Sequence, residues 1–372
     1  MGINKTSTPS ADWILLINGN FLYQRITGTQ RFATEISKVL LCHYDNARII
    51  VAGDFELPDW IPNDRVMHIP INCHLRLIRY FVFWIIAPFF VRIRVKEKYV
   101  VWSPCNTGSP LFKNHLVTFH DMATRHNPKW YSLKHILVTL LTEELLIKTG
   151  AKITTVSSFS KSEIVRHLKI DENSISLTPN GFSLQGVFNR EEMLEPNQNI
   201  PDIFLLSVAS MDPKKNLDII VRAWLSIPTE KRKGAGLVFA GGKNTAFGKL
   251  SGLTHGQEDG IIWLGYVSDA QLAWLYSRSK GVILASSYEG FGLPIVEALA
   301  YGVRVVCSDI PAFREVGKDS VVYFSLDDVH TLTKRLINLL QNEIPHGKFD
   351  ASLIPTWEQA ADAVWKAAAS AF

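Results

Sequence analysis

Ser286-Ser-Tyr-Glu-Gly-Phe-Gly-Leu-Pro-Ile-Val-Glu-Ala-Leu-Ala-Tyr-Gly302 is the stretch on which the fold of this chain turns. It follows the apolar run Gly281–Ala285, which reads as a buried parallel strand. Gly290 and Gly292 come next, then Pro294, then a helical apolar pattern that stops at Gly302. Proline suits the first helical position, where its missing N–H is no loss, and glycine suits the left-handed residue that closes a helix. Strand, glycine loop and helix N-terminus in that order favour an anion, through free N–H groups and the helix dipole. Gly290 and Gly292 let the backbone come close to a ligand with no Cβ in the way. Glu289 lies at the strand's carboxyl end, where open α/β sheets bind ligands, and Glu297 lies further along in the helix. Carboxylates accept hydrogen bonds only, so two of them beside a phosphate pocket suit sugar hydroxyls. Spacing alone also allows Glu289 as a turn residue and Glu297 as a solvated helix glutamate.

Length and composition bound what surrounds this unit. A chain of 372 residues fits two domains of ordinary size, and 47% hydrophobic residues supply cores for both. A net charge of +4 is too mild to argue for nucleic acid. Cys42, Cys73, Cys105 and Cys307 are scattered with no metal-ligand spacing, which suits reduced thiols in a cytoplasmic setting. The apolar Trp13–Ile17 is too short for a secretory signal. Met1–Thr6 fits a myristoylation pattern and Asn4–Thr6 a glycosylation triplet, both short and common.

Glu289-Gly-Phe-Gly-Leu-Pro and Glu297 together resemble the Glu-(seven residues)-Glu signature of retaining glycosyltransferases of family 4. The resemblance implies an α/β chain of the GT-B fold: two Rossmann-like domains with parallel sheets, facing each other across a cleft. It implies that Glu289 holds the donor sugar, that Glu297 holds the nucleotide's ribose, and that Gly290, Phe291, Gly292 and Leu293 line the donor. Other segments resemble the same family in the right order, from about residue 27 to residue 302. After the first strand, Trp13–Asn18, the Gly-x-Gly-x-x-Gly of a dinucleotide-binding turn is absent, which counts against a dehydrogenase. Thr27-Gly-Thr-Gln-Arg31 stands there instead; it is similar to the family's first-loop segment, and Gly28 carries over. His120-Asp121 ends the strand His115–Phe119, where the family commonly points a histidine at the donor sugar. Pro179-Asn-Gly181 resembles the turn that closes the first domain. Ala209-Ser-Met-Asp-Pro-Lys-Lys-Asn216 resembles the diphosphate-binding segment, which assigns the phosphates to Lys215 with Lys214 beside it. Ser210 stands where many relatives carry a further arginine, so one cation of the usual pair is missing. Tyr266 and Val267, beside Gly265, match the residues that touch the nucleotide base.

The domains expected are 1–190 on the acceptor side and 191–355 for the nucleotide sugar, with 184–201 as linker. Thr356 and Gln359 have capping-box spacing and open a helix over 356–372 that returns to the first domain. Between them lies an odd segment, Leu75–Lys98. Tyr80–Val91 is continuously apolar yet too short for a span of about 20 residues, and it contains Pro88. Its flanks, Arg76, Arg79, Arg92, Arg94, Lys96 and Lys98, suit a helix on the anionic inner face of a membrane. A buried helix of the first domain is the other reading.

The reading that follows is a retaining glycosyltransferase that needs no metal or other cofactor, since no segment resembles the Asp-x-Asp metal motif of the other glycosyltransferase fold. Its partners are a nucleotide-diphosphate sugar and a glycan or lipid-linked acceptor of cell-surface polysaccharide. GDP-mannose is the first donor expected and a UDP-hexose the second. The rivals are a nucleotide-sugar epimerase of the same fold and an inactive subunit that binds a sugar nucleotide.

Overall fold

The computed structural model describes residues 12–53, 56–71, 75–182, 193–242, 259–345 and 354–372. Met1–Thr6, Cys73 and the linker residues 184–192 lie outside them. Two compact units are present: residues 1–125, 137–181 and 354–372 form the first, and 126–136 with 182–353 form the second.

The first unit holds a parallel seven-stranded sheet in the order β3-β2-β1-β4-β5-β6-β7. Its strands are β1 (Trp13–Asn18), β2 (Ala47–Ala52), β3 (Val66–Ile69), β4 (Lys98–Ser103), β5 (His115–Phe119), β6 (Lys152–Thr155) and β7 (Ile175–Leu177). The second unit holds β8 (Phe204–Val208), β9 (Gly236–Ala240), β10 (Ile261–Gly265), β11 (Gly281–Leu284), β12 (Val305–Ser308) and β13 (Val322–Phe324). These six are ordered β10-β9-β8-β11-β12-β13, again all parallel. In each sheet the strand order reverses once, between β1 and β4 and between β8 and β11, and such switch points are where open α/β sheets bind ligands.

Both faces of the second sheet are buried, which explains why its strands read as unbroken apolar runs. Side chains alternate across a strand. Leu206, Val282, Leu284 and Cys307 pack on one side with Tyr276, Ile295, Ala298 and Phe313. Leu205, Ile283 and Val306 pack on the other with Ile220, Leu332 and Leu336. The carboxyl ends of β8, β9 and β10 come very close: Gly241 donates its N–H to Gly265 O at 2.7 Å, and Ala209 N–H reaches Ala240 O at 2.9 Å. Gly241 has φ +150°, and a Cβ on it would stand 2.1 Å from Ala209 O. Gly241→Ala is therefore expected to destabilise the second unit by about 1–3 kcal/mol through backbone strain. A lowered urea midpoint would register this; an unchanged one would contradict the packing described.

The helix Trp357–Ala369 belongs to the first unit. Thr356 and Gln359 form its capping box, and Trp365 stacks between Trp13 and Tyr44, with ring centroids 4.5 and 4.1 Å away. Tyr44 Oη donates to Asp362 at 3.2 Å. Gly181 packs so closely on Trp357 that a Cβ would lie 2.6 Å from its Cα.

Residues Arg76–Arg94 form a helix whose middle, Val82–Ile86, widens to a π turn. Pro88 has no N–H to offer the carbonyl of Trp84, one turn back. Ser109 Oγ donates to that carbonyl instead, at 2.5 Å. One face, Val82, Phe83, Ala87 and Val91, is buried against β1, β2 and β4. The opposite face leaves Ile78, Phe81, Ile85, Phe89 and Ile93 exposed at helical spacing. The buried-helix reading describes the first of these faces.

Candidate sugar-nucleotide site

The loops that leave β8 and β11 meet at the switch point of the second sheet. The first turns through Pro213–Lys215, capped by Asp212, whose carboxylate accepts from Lys214 N at 3.1 Å. Asn216 takes the left-handed conformation, φ +45°, and its amide donates to Ala285 O at 3.2 Å. Ser287 answers from the other loop: its N–H and its hydroxyl both donate to Lys214 O, at 2.8 and 3.1 Å. The paired loops place Lys215 Nζ on Glu289 Oε1 as an ion pair, the two side chains only 17% and 15% exposed. Ser286 Oγ donates to the same carboxylate oxygen at 2.7 Å. Burial pushes the Glu289 carboxyl up, but the charges of Lys215 and Lys214 and the bonds from Lys215 and Ser286 outweigh it, and the group is held below the ordinary carboxylate range. Asp212 goes the other way: its burial outweighs the neighbouring lysines, and Glu289 adds to the rise.

Gly292 then opens the helix Leu293–Ala300 at φ +122°, with Phe313 directly beneath it: a Cβ there would lie 3.1 Å from that ring. Pro294 sits in the first turn, one residue after the helix begins, and Gly302 closes the helix at φ +70°. Gly290 and Phe291 are buried and Leu293 is half-buried. Glu297 is buried, and the hydroxyl of the fully buried Tyr276 donates to its Oε2 at 2.8 Å. A buried, hydrogen-bonded carboxylate is not a solvated surface glutamate.

Lys214, Lys215, Glu289, Gly290, Phe291, Gly292, Leu293 and Glu297 thus belong to one loop-and-helix system, and Lys215 and Glu289 touch directly. Tyr266 follows β10 and is 55% exposed, whereas Val267 packs against the sheet's core. Three partners carry no mark in the family motif. Ser286 lies just past β11 and Asp212 caps the turn Pro213–Lys215, and the motif singles out neither. Tyr276 comes from the separate helix Asp269–Arg278, and no local spacing announces it.

Gly28 and His120 lie in the first unit. Gly28 is the exposed first residue of the helix Gly28–His43. His120 is buried beyond the end of β5, its ring edge-on to Phe32 at 4.8 Å. Its Nε2 bonds to Pro104 O at 2.7 Å. A carbonyl only accepts, so Nε2 carries the proton and Nδ1 is the bare nitrogen. Burial lowers His120 from 6.5 to about 4, against the upward pull of Pro104 O and Asp121, so the ring is neutral at pH 7. The unfolded chain therefore binds this proton first: stability falls as pH drops from 6.5 towards 4 and is level above 6.5. About 1.4 kcal/mol per pH unit is at stake within that window. Urea unfolding at pH 7 and pH 5 should show a smaller loss for His120→Asn than for the parent chain; equal losses would contradict the buried neutral state.

Residues 189–354 match the family model described as glycosyl transferases group 1. O-antigen chain mannosyltransferase B of Escherichia coli is 29% identical over 234 residues, covering 61% of this chain and 61% of that relative, so the match spans about three fifths of its length. O-antigen chain mannosyltransferase RfbU of Salmonella typhimurium is 25% identical over 267 residues, covering 69% and 70%. The solved sucrose-phosphate synthase from Thermosynechococcus elongatus superposes with a TM-score of 0.65 at 18% identity, covering 97% of each chain. The chain has the GT-B fold of two Rossmann-like units, and the match to glycosyl transferases group 1 falls on residues 189–354.

Proposed function

We propose that the protein is a retaining hexosyltransferase that moves mannose from GDP-mannose to a glycan or lipid-linked acceptor of cell-surface polysaccharide. The observation that carries this is the Lys215–Glu289–Ser286 constellation at the β8/β11 switch point, beside the N-terminus of the helix Leu293–Ala300. Both O-antigen relatives are named mannosyltransferases, which favours mannose over a UDP-hexose. Lys215 and the helix N-terminus meet the diphosphate, whose charge grows as the sugar leaves. Glu289 takes the sugar's hydroxyls once the phosphates draw Lys215 away, and Ser286 keeps its carboxylate aimed. Glu297, oriented by Tyr276, takes the ribose.

Incubation with a panel of nucleotide sugars, with and without a lipid-linked acceptor, tests the reading through release of free nucleotide. Release that depends on acceptor supports it. Sugar isomerisation without acceptor would replace it with an epimerase, and binding without turnover with an inactive subunit.

The exposed row Ile78, Phe81, Ile85, Phe89 and Ile93, followed by exposed Arg92, Arg94 and Lys96, is proposed to rest on an anionic membrane surface, where a lipid-linked acceptor is found. No helix among the described residues is long and apolar enough to cross a membrane. Co-sedimentation with anionic vesicles should weaken with salt, and should weaken further when Arg92 and Arg94 become Glu. Equal binding to neutral and anionic vesicles would remove the electrostatic part.

A further inference from the structure

The segment His126–Ile136 lies in the chain between β5 and β6 of the first sheet, yet it is part of the second compact unit. It ends the short helix Ala123–His126 and turns through Pro128–Trp130, with Asn127 accepting from Lys129 N at 3.3 Å. The turn holds the imidazole of His126 against Tyr288, ring centroids 4.4 Å apart and planes at 33°. Trp130 backs the same imidazole at 6.1 Å and 29°. Tyr288 is 2% exposed and directly precedes Glu289.

We propose that His126 is a positioning residue for the donor site: its ring braces Tyr288, and Tyr288 sets the backbone that carries Glu289. This rests on the reading of that site as a sugar-donor site. In the same loop Ser286 is tied to Glu289 and Ser287 to Lys214 O by hydrogen bonds. The buried Tyr288 ring between them has the tilted imidazole along one face, and aromatic contact of this kind helps to orient a ring. Without the imidazole, one face of Tyr288 loses its wall, the backbone at 288–289 gains freedom, and the carboxylate is displaced from the sugar. Small misplacements of a positioning group are costly in turnover. The nucleotide end of the site, at Glu297, is anchored by Tyr276 and is untouched by this change.

Two variants and two readouts test the inference. His126→Ala removes the wall, and His126→Phe keeps a flat ring of similar width. Hydrogen exchange of the Ser286–Gly292 amides should accelerate about two- to tenfold in the Ala variant and return to the parent rate in the Phe variant, the range expected of one aromatic contact. Turnover should fall by a similar factor in the Ala variant, with GDP and UDP affinity unchanged, and the Phe variant should recover it. Parent-like exchange in the Ala variant, or equal losses in Ala and Phe, would overturn the brace. If the parent chain turns over no nucleotide sugar, the proposed function fails, and the exchange measurement still decides whether His126 holds the loop.

Discussion

Lys215→Ala is expected to lower sugar transfer by about 10²–10³-fold, the effect of removing one preorganised group that meets developing charge. Lys215 is the cation seated at the β8/β11 switch point with a half-buried ammonium, and a lysine serves phosphate as a mobile point charge. On the proposed reading it leaves Glu289 when the diphosphate arrives, and one anion replaces another beside it. Charge on the diphosphate rises towards the transition state, so turnover should suffer more than donor affinity. The variant also strips Glu289 of its counter-charge, so its carboxyl should rise from its depressed position and the acidic limb of the pH profile should move upward. Initial rates across donor concentrations and pH measure both effects. A variant with normal turnover and only a raised donor KM would place the lysine in uniform binding instead.

Glu289→Ala is the second large effect, about 10²-fold in turnover for the preferred sugar. Glu289 has three reasons to be where it is: the Ser286 hydroxyl, the Lys215 ammonium and the strand end that precedes it. The loss should be largest for the sugar whose hydroxyls it receives, so discrimination between nucleotide sugars should shrink with it. Glu297→Ala provides the contrast. A ribose contact is made equally before and during reaction, so that variant should raise donor KM and leave turnover nearly intact. Because Lys215 and Glu289 touch, their double variant should lose less than the product of the two single losses.

What could be read from the chain and what could not divides along locality. The strand Gly281–Leu284, the glycine turn and the helix closed by Gly302 are local facts, written in apolar runs, φ-permissive glycines and a first-turn proline. The alternation of strand residues between two buried faces is local too, and it makes the parallel sheets legible. The Tyr276–Glu297 bond joins residues 21 apart on different helices, and nothing in either segment announces the other. The seating of His126 against Tyr288 spans a still longer separation, and it puts a piece of the first half of the chain into the second unit. The helix Arg76–Arg94 is legible as apolar with basic ends, but neither its π turn nor the bond from distant Ser109 to the Trp84 carbonyl is written in its own pattern. The helix Leu133–Lys148 has no clear apolar stripe, because its apolar residues surround it and Leu133, Leu137 and Leu141 are exposed.

The Lys215–Glu289 pair is proposed as the working centre of a sugar-transfer site. The most direct measurement is acceptor-dependent release of GDP from GDP-mannose, followed side by side for the parent chain, Lys215→Ala and Glu289→Ala. The parent chain should release GDP robustly, and each variant should lose about 10²-fold or more. Near-normal transfer by both variants would contradict it and place the chemistry elsewhere in the molecule.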